Sequence, residues 1–142
     1  MTVHLLKLCV GVDSVEHLVE LRQGRPLHRA VDGAPCNSHV TRFMPKRAEE
    51  LLDGGSLYWV IKGFIQVRQK IIGFEPVKTD QGIKCRILLD PQLVRTESQP
   101  RRPHQGWRYL EPKDAPRDLP HGAQGADLPA ELRSELQELG LI

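Results

Sequence analysis

The chain contains 142 residues, of which 39% are hydrophobic and 27% are charged. This composition is typical of one globular domain that is large enough to bury a core. No apolar run approaches the roughly 18 residues of a membrane span, and three widely spaced cysteines do not indicate a disulfide framework. We therefore expect a cytoplasmic protein with no membrane partner, and the sequence leaves its oligomeric state open.

Charge is unevenly distributed along the chain, although the net charge is only +2. Residues 39–110 carry 13 Lys and Arg against 7 Asp and Glu, whereas residues 111–142 carry 3 against 7. This asymmetry indicates a basic body followed by an acidic tail. We predict a folded domain over residues 1–110 and a Pro/Gly-rich acidic tail over residues 111–142.

The first forty residues predict a strand, a short helix and a long loop. Residues 2–10 alternate loosely between apolar and polar positions, which favours a strand. Asp13 or Ser14 can cap the helix that follows, because a side-chain oxygen there accepts a hydrogen bond from an amide of the first turn. Gly, Pro, Asp and Asn in residues 22–39 indicate a loop that encloses a short strand near residues 27–31.

The segment HVTRFMPKRAEELLDGG predicts a strand followed by a short helix. Residues 40–44 suit the strand, and Pro45 both ends it and starts the helix, since proline is tolerated in a first turn. The helix continues to Leu52. Gly54 or Gly55 then supplies the left-handed residue that ends it.

The segment SLYWVIKGFIQVRQK predicts two strands joined by a tight turn at Lys62 and Gly63. Successive side chains of a strand point to opposite faces, so we expect one apolar face and one basic face. The predicted core side chains are Leu57, Trp59, Ile61, Ile65, Val67 and Ile71. Gln69 interrupts this inward set, which indicates either a β-bulge or a buried amide with a partner.

The rest of the chain predicts one more strand, an irregular segment and a terminal helix. GIKCRILLD repeats the strand pattern, whereas residues 96–127 are rich in Pro, Gly and charge and are expected to be mostly irregular, with Trp107 docked against the core. Residues 129–139 predict a short amphipathic helix. Together these elements predict an α+β fold, built on a small mixed or antiparallel β-barrel with short flanking helices.

Basic side chains on neighbouring strands and in the following loop form the first candidate site. Such groups on a curved sheet suit phosphate contacts, which gain affinity by releasing counterions. The candidate phosphate-binding residues are Lys62, Arg68, Lys70, Lys84, Arg86, Arg101, Arg102 and Arg108. Trp107 and Tyr109 flank Arg108, and an exposed aromatic ring beside arginine can stack on an unpaired base. The alternative is that both rings anchor the end of the core.

The predicted strand-to-helix junction is the second candidate site. Arg42, Lys46 and Arg47 gather there, where the first amides of a helix favour an anion. This arrangement predicts a phosphate or oligonucleotide-backbone pocket. The alternative is ordinary charge on a helix surface.

The sequence carries no diagnostic signature of metal binding or catalysis. Cys36 and His39 form the one short ligand pair, whereas a zinc site normally uses four ligands in paired spacings. There is no nucleophile elbow and no phosphate loop. Asp114 and Asp118 could act with His104 in acid–base chemistry. We expect no catalytic residue, no metal and no cofactor.

Four segments carry a family resemblance: HLLKLCVGVDSVE, HVTRFMPKRAEELLDGGSLYWVIKG, RQKIIGFEP and QGWRYLEPKDAPRDL. They resemble a bacterial family catalogued as a domain of unknown function, and they cover most of residues 4–119. The order of a strand, the helix PKRAEELLDGG, the strand SLYWVIKG and the returning strand RQKIIGFEP is more distantly similar to the PUA-like superfamily, which includes the ASCH and EVE domains. That resemblance implies a small pseudo-barrel that binds RNA or modified bases.

These observations lead to one preferred function and two alternatives. We predict non-catalytic recognition of RNA or a nucleotide through the basic sheet face. An enzyme acting on a nucleotide or phosphorylated metabolite in the same cationic cleft is the first alternative, and a deep pocket with shifted pKa values would favour it. A protein-interaction module is the second alternative, which a contiguous exposed apolar patch would favour.

Overall fold

The computed structural model describes residues 1–24, 27–30 and 32–119. Its elements, in chain order, are β1 (His4–Leu8), α1 (Val15–Gln23), β2 (His28–Arg29), β3 (Pro35–Thr41), α2 (Ala48–Leu52), β4 (Ser56–Ile61), β5 (Phe64–Thr79), β6 (Gly82–Leu89), β7 (Val94–Pro100), β8 (Trp107–Leu110) and a 3₁₀ helix (Pro112–Asp114). In this part of the chain no helix is both long and apolar enough to cross a membrane. The terminal helix predicted at residues 129–139 lies outside the described residues.

The strands form one sheet in the order β2-β3-β6-β5-β4-β1-β8, and β7 pairs with β5 beside this path. β1 and β4 run parallel, whereas β5 pairs antiparallel with β4, β6 and β7. The predicted α+β class is confirmed. The prediction of a partly closed barrel is corrected to an open sheet, because β2 and β8 stand at its two ends and do not pair with each other in the described ranges.

The hairpin between β4 and β5 has the predicted tight turn. Lys62 has φ 52° and Gly63 has φ 84°, and two positive φ angles in succession are the geometry of a type I′ turn. Glycine adopts this geometry without strain. The turn brings β4 and β5 together as the apolar centre of the sheet.

Irregularities in β5 divide its apolar side chains between the two faces of the sheet. Register shifts occur at Trp59 and Val60 in β4, and at Ile65 and Val67 where β5 meets β7. Ile65 and Val67 are therefore both buried, but they belong to different core clusters. The prediction that they share one face is wrong, because a bulge adds a residue and changes the alternation of side chains.

One face of the sheet, which we call the helix face, packs against α1 and α2. Ser14, one of the two predicted caps, caps α1, since its Oγ accepts a hydrogen bond from the His17 N–H at 3.0 Å. Val15 and Leu18 of α1 and Leu51 of α2 are buried in the cluster on this face. α2 is shorter than predicted, and Gly54 follows it with φ 85°.

The opposite face, which we call the strap face, is covered by residues 111–119, the strap. The Glu97 N–H donates to the Arg117 carbonyl at 2.8 Å, and the Leu119 N–H donates to the Arg95 carbonyl at 2.9 Å. Ala115 packs against the second core cluster, which contains Tyr58. The segment PKDAPRDL therefore lies along β7 and covers this side of the sheet.

Two strands lie in a region that was predicted to be mostly irregular. In β7, Thr96 and Ser98 are buried. Alternate side chains of this strand therefore point inward, but they are small and polar and not aliphatic. In β8, Trp107 and Tyr109 pack against the core cluster of the helix face. The predicted docking of Trp107 is thus confirmed.

Candidate functional site

Arg68, a predicted phosphate contact, is held on the strap face by an ion pair. Its Nε donates to Asp118 Oδ1 at 2.8 Å and its Nη2 donates to Asp118 Oδ2 at 2.7 Å. Its Nη1 donates to Ser56 Oγ at 3.0 Å. The hydrogen bonds to Asp118 raise the pKa of Arg68, and they lower the pKa of Asp118. The main partner of this guanidinium is the strap.

Arg86 is paired with a different carboxylate. Its Nη1 donates to Glu75 Oε1 at 3.1 Å, and the same oxygen lies 3.0 Å from His28 Nε2. Glu75 and Arg86 are direct neighbours across β5 and β6. Arg68 and Arg86 therefore each have an acidic partner, and their role as phosphate contacts stays a prediction that requires these pairs to open.

Two further predicted cations also have acidic partners. Arg47 donates from Nε to Glu50 at 2.6 Å and from Nη1 to Glu111 at 3.1 Å. Its guanidinium lies 5.1 Å from the centre of the Tyr109 ring. Lys62 forms a 3.1 Å ion pair with the exposed Asp13. Arg47 thus connects α2 to the strap, and Lys62 connects a turn to the start of α1.

The two predicted stacking residues are partly buried against each other. The rings of Trp107 and Tyr109 meet edge to face, with 5.0 Å between their centres. The Tyr109 hydroxyl accepts a hydrogen bond from the Arg47 N–H at 3.0 Å. This packing favours the alternative in which both rings anchor the core.

Other predicted phosphate contacts have no ion pair within the described ranges. They are Arg42, Lys46, Lys70, Lys84, Arg101, Arg102 and Arg108. Arg101 is occupied in another way, since it donates to Gln99 at 3.0 Å and to the Asp114 carbonyl at 3.3 Å. The structure therefore divides the predicted basic face into paired and unpaired cations.

Two of the unpaired cations line a groove with an exposed aromatic ring. This Phe43 groove has a volume of about 580 Å³ and is lined by Arg42, Phe43, Gln81, Ile83 and Lys84. The Phe43 side chain is 65% exposed, and the Arg42 guanidinium lies 5.3 Å from the centre of its ring. Among the described residues, no carboxylate lines the groove. The groove therefore combines a stacking surface with positive charge.

A second cavity, which we call the α1 pocket, lies between α1 and the helix face. It has a volume of about 240 Å³, and its walls include Lys7 of β1, Leu18 and Arg22 of α1, His39 of β3 and Trp59 of β4. None of these residues was predicted from the sequence to bind a ligand, except His39 as half of a metal-ligand pair. No carboxylate of the described part of the chain lines this pocket.

The ionisable groups of the α1 pocket are shifted by burial. Burial lowers the pKa of Lys7, and no acidic neighbour counteracts that effect. Burial and, to a smaller extent, the positive charges of Lys7 and Arg22 together lower the pKa of His39 to about 4. His39 Nε2 is buried and has no hydrogen-bond partner. The pocket therefore contains cationic groups beside a neutral imidazole.

A buried amide network holds two walls of the α1 pocket in position. Gln69 Oε1 accepts from Trp59 Nε1 at 3.0 Å and from Arg22 Nη2 at 3.4 Å. Gln69 Nε2 donates to Asn37 Oδ1 at 2.8 Å and to the Asp90 carbonyl at 2.9 Å. This confirms one of the two predictions for Gln69, a buried amide with partners.

Periodicity in the sequence could have revealed two of these pocket residues. Lys7 occupies an inward position of β1, two residues after the buried Leu5. Arg22 follows the buried Leu18 by four residues, so the two lie on the same side of α1. A basic residue in each of two apolar stripes is a signal of a polar pocket, whereas nothing local in the sequence places His39 beside them.

The suggested acid–base group is not assembled. Both ring nitrogens of His104 are buried, and neither forms a hydrogen bond with Asp114 or Asp118. Burial lowers the pKa of His104, as do the charges of Arg108 and Lys7. Within the part of the chain that the structure describes, no three His, Cys, Asp or Glu residues come together in a group that could hold a metal ion.

One family model matches nearly the whole chain. The family is described as "Protein of unknown function (DUF1489)", and the match covers residues 5–142. This confirms the resemblance to an uncharacterised family. No curated protein and no solved structure gives a significant match, so the PUA-like resemblance is not confirmed.

Proposed function

We propose that this chain, which belongs to the family described as "Protein of unknown function (DUF1489)", recognises unpaired RNA or a nucleotide without catalysing a reaction. The RNA or nucleotide would contact the Phe43 groove. The description of the family names no activity, so the proposal depends on the geometry of the described residues. A PUA-like relationship would agree with this function, and the shared order of strands and helix is its support.

The observation that carries the proposal is the exposed Phe43 ring beside the Arg42 guanidinium. A large aromatic ring that is 65% exposed leaves apolar area in water, and covering such area is favourable by about 25 cal/mol per Å². A nucleobase can cover the ring by stacking, which contributes about 1–3 kcal/mol per base. Arg42 can then contact the adjoining phosphate.

Among the described residues neither Arg42 nor Lys84 forms an ion pair, which supports the choice of this surface over the paired arginines. Lys84 Nζ donates to Gln81 Oε1 at 3.0 Å, a neutral partner. Arg68 and Arg86 would have to leave Asp118 and Glu75 before binding phosphate, which would cost part of the binding energy. Contacts from Arg42 and Lys84 require no such exchange.

One observation favours a protein-interaction module as the second candidate. Ile83, which also lines the Phe43 groove, is 69% exposed, so the groove has an apolar part that a protein partner could cover. The two candidates differ in their dependence on salt, because phosphate contacts release counterions whereas apolar contacts do not.

The proposal also places this function in the cytoplasm. Cys9, Cys36 and Cys85 form no disulfide with one another, and the last two are buried. Cysteines outside disulfides are usual in a reducing compartment.

The test measures the binding of a fluorescently labelled oligouridine by anisotropy at several salt concentrations. We expect Phe43→Ala to weaken binding by about tenfold. We expect Arg42→Gln to reduce the slope of log affinity against log salt concentration by about one. Leu52→Ala is the matched control, since Leu52 is also an exposed apolar side chain. Equal affinity of wild type and Phe43→Ala, or no binding at low salt, would overturn the proposal.

A further inference from the structure

We propose that the α1 pocket binds a small organic anion, in which one carboxylate or phosphate group is joined to a short apolar body. The charged oxygens would meet Lys7, Arg22 and His39, and the apolar body would lie against Leu18 and Leu21. This site is separate from the Phe43 groove, and it does not depend on the function proposed for that groove.

The α1 pocket is lined by basic side chains. Lys7 and Arg22 both line it, and within the residues that the structure describes no carboxylate does. Lys7 is partly buried and has no acidic partner in the described part of the chain, although removing an ammonium group from water is costly unless it is paired. An anion in the pocket would supply the missing partner.

The imidazole of His39 is unsatisfied. Its Nε2 is buried without a hydrogen-bond partner, whereas buried polar atoms in proteins are nearly always bonded. With the proton on Nε2, the neutral ring donates one hydrogen bond. An oxygen of the bound anion would accept it, so the same ligand would satisfy both His39 and Lys7.

The volume of the α1 pocket limits the size of its ligand. A volume of about 240 Å³ corresponds to roughly eight water molecules at about 30 Å³ each. Pockets for drug-sized ligands begin at about 300 Å³, so the pocket is too small to enclose a nucleotide or an RNA chain. The aliphatic walls at Val12, Leu18 and Leu21 favour a ligand with a short hydrocarbon part over a bare inorganic ion.

The walls of the α1 pocket are rigid. The Gln69 amide binds both Trp59 and Arg22, and His39 lies edge-on to Trp59 with 5.3 Å between ring centres. Side chains fixed in this way lose little further entropy when a ligand binds. The pocket is therefore preformed for its ligand.

The test titrates the full chain with three probes and follows binding by calorimetry and by the NMR signals of His39. The probes are isobutyrate, inorganic phosphate and the uncharged isobutyramide. We expect at least one of the two anions to bind saturably with a Kd of about 1 mM, which corresponds to about −4 kcal/mol, and isobutyramide to show no saturation. Binding of isobutyrate alone would assign a carboxylate head, and binding of phosphate alone would assign a phosphate head.

Two variants connect that binding to the pocket. Lys7→Met keeps the length of the side chain and removes the charge, and we expect it to weaken anion binding by about tenfold or more. Lys78→Met is the matched control, since Lys78 is an exposed lysine on β5. We also expect Lys7→Met to melt at a higher temperature than wild type, because it removes an unpaired, partly buried charge. If Lys7→Met does not fold, Arg22→Gln provides the same comparison.

Three results would overturn the proposal: neither anion binds saturably, isobutyramide binds as tightly as isobutyrate, or the pocket variant binds as wild type does. Oligouridine reports on the Phe43 groove and the small probes report on the α1 pocket. Either proposal can therefore fail while the other stands.

Discussion

Arg68 and Lys7 are two partly buried cations on opposite faces of the same sheet, and their surroundings differ. Arg68 donates three hydrogen bonds, two of them to Asp118 and one to Ser56. Lys7 has a lowered pKa that burial alone explains. On the strap face a basic side chain connects two parts of the fold, whereas on the helix face a basic side chain lines a cavity.

This difference shows why a count of basic residues does not locate a binding surface. A cation with its own carboxylate already has a partner, so an incoming phosphate must compete with that carboxylate. A cation without a carboxylate partner can bind a phosphate with no such competition. The relevant quantity is the number of cations that lack an internal partner, and that depends on which acidic residues the fold brings near.

The largest effect is expected when the buried amide network that holds the walls of the α1 pocket is removed. Gln69→Leu leaves the Trp59 Nε1–H, Asn37 Oδ1 and the Asp90 carbonyl without their partner. Each unsatisfied buried group costs about 1–3 kcal/mol, so we expect a loss of about 4 kcal/mol in the free energy of unfolding. Urea denaturation measures it.

Gln105→Leu is the control for that substitution, because Gln105 is exposed. We expect its effect to lie within about 0.5 kcal/mol. A loss below about 1 kcal/mol for Gln69→Leu would mean that water replaces the amide, and the walls of the α1 pocket would then not be fixed by it.

The second prediction is that the stability contributed by His39 on the helix face and by Asp118 on the strap face is lost in different pH ranges. The pKa of His39 is lowered from 6.5 to about 4 in the folded protein, so between these values the unfolded chain binds more protons. Stability therefore rises with pH across this window and is lost as the pH falls from 6.5 towards 4. The difference of about 2.5 pKa units corresponds to a loss of up to about 3 kcal/mol.

The measurement compares urea denaturation of wild type and His39→Phe at several pH values. His4 and His104 also have lowered pKa values, so the difference between the two proteins isolates His39. Asp118 behaves differently, because its pKa is lowered from 3.8 and its contribution is lost only below that value. Parallel curves for wild type and His39→Phe between pH 4 and 6.5 would contradict the prediction.

Features set by neighbouring residues could be predicted from the sequence. The Ser14 cap, the turn at Lys62 and Gly63 and the left-handed Gly54 each depend on a few adjacent positions, and each is present. The buried amide of Gln69 was one of two predicted alternatives, because a polar residue in an apolar alternation indicates either a partner or a β-bulge. Local patterns are informative where the physical constraint is local.

Features set by distant residues could not be predicted in the same way. Asp118 is separated from Arg68 by 50 residues, and no local pattern shows that the strap returns to β5. The strand β7 was hidden because Thr96 and Ser98 carry its buried positions in place of aliphatic residues. The walls of the α1 pocket likewise come from β1, α1, β3 and β4, which only the fold brings together.

The smallest expected effect concerns the strap. We expect a double-mutant cycle of Arg68→Met and Asp118→Asn to give a coupling energy of about 0.5–1 kcal/mol at pH 7, since both side chains are partly exposed and water screens their attraction. The pair contributes above the ordinary pKa of Asp118, 3.8, and its contribution is lost as the pH falls through the lowered value.

Arg117→Met is the control for this cycle, since Arg117 is an exposed strap residue. Urea denaturation of the four proteins of the cycle gives the coupling, and repeating it in acid tests its loss. A coupling near zero at pH 7 would mean that the strap is held by its backbone bonds to β7 and by Ala115. Arg68 would then be as available to phosphate as the unpaired cations, and the contrast between the two faces would be lost.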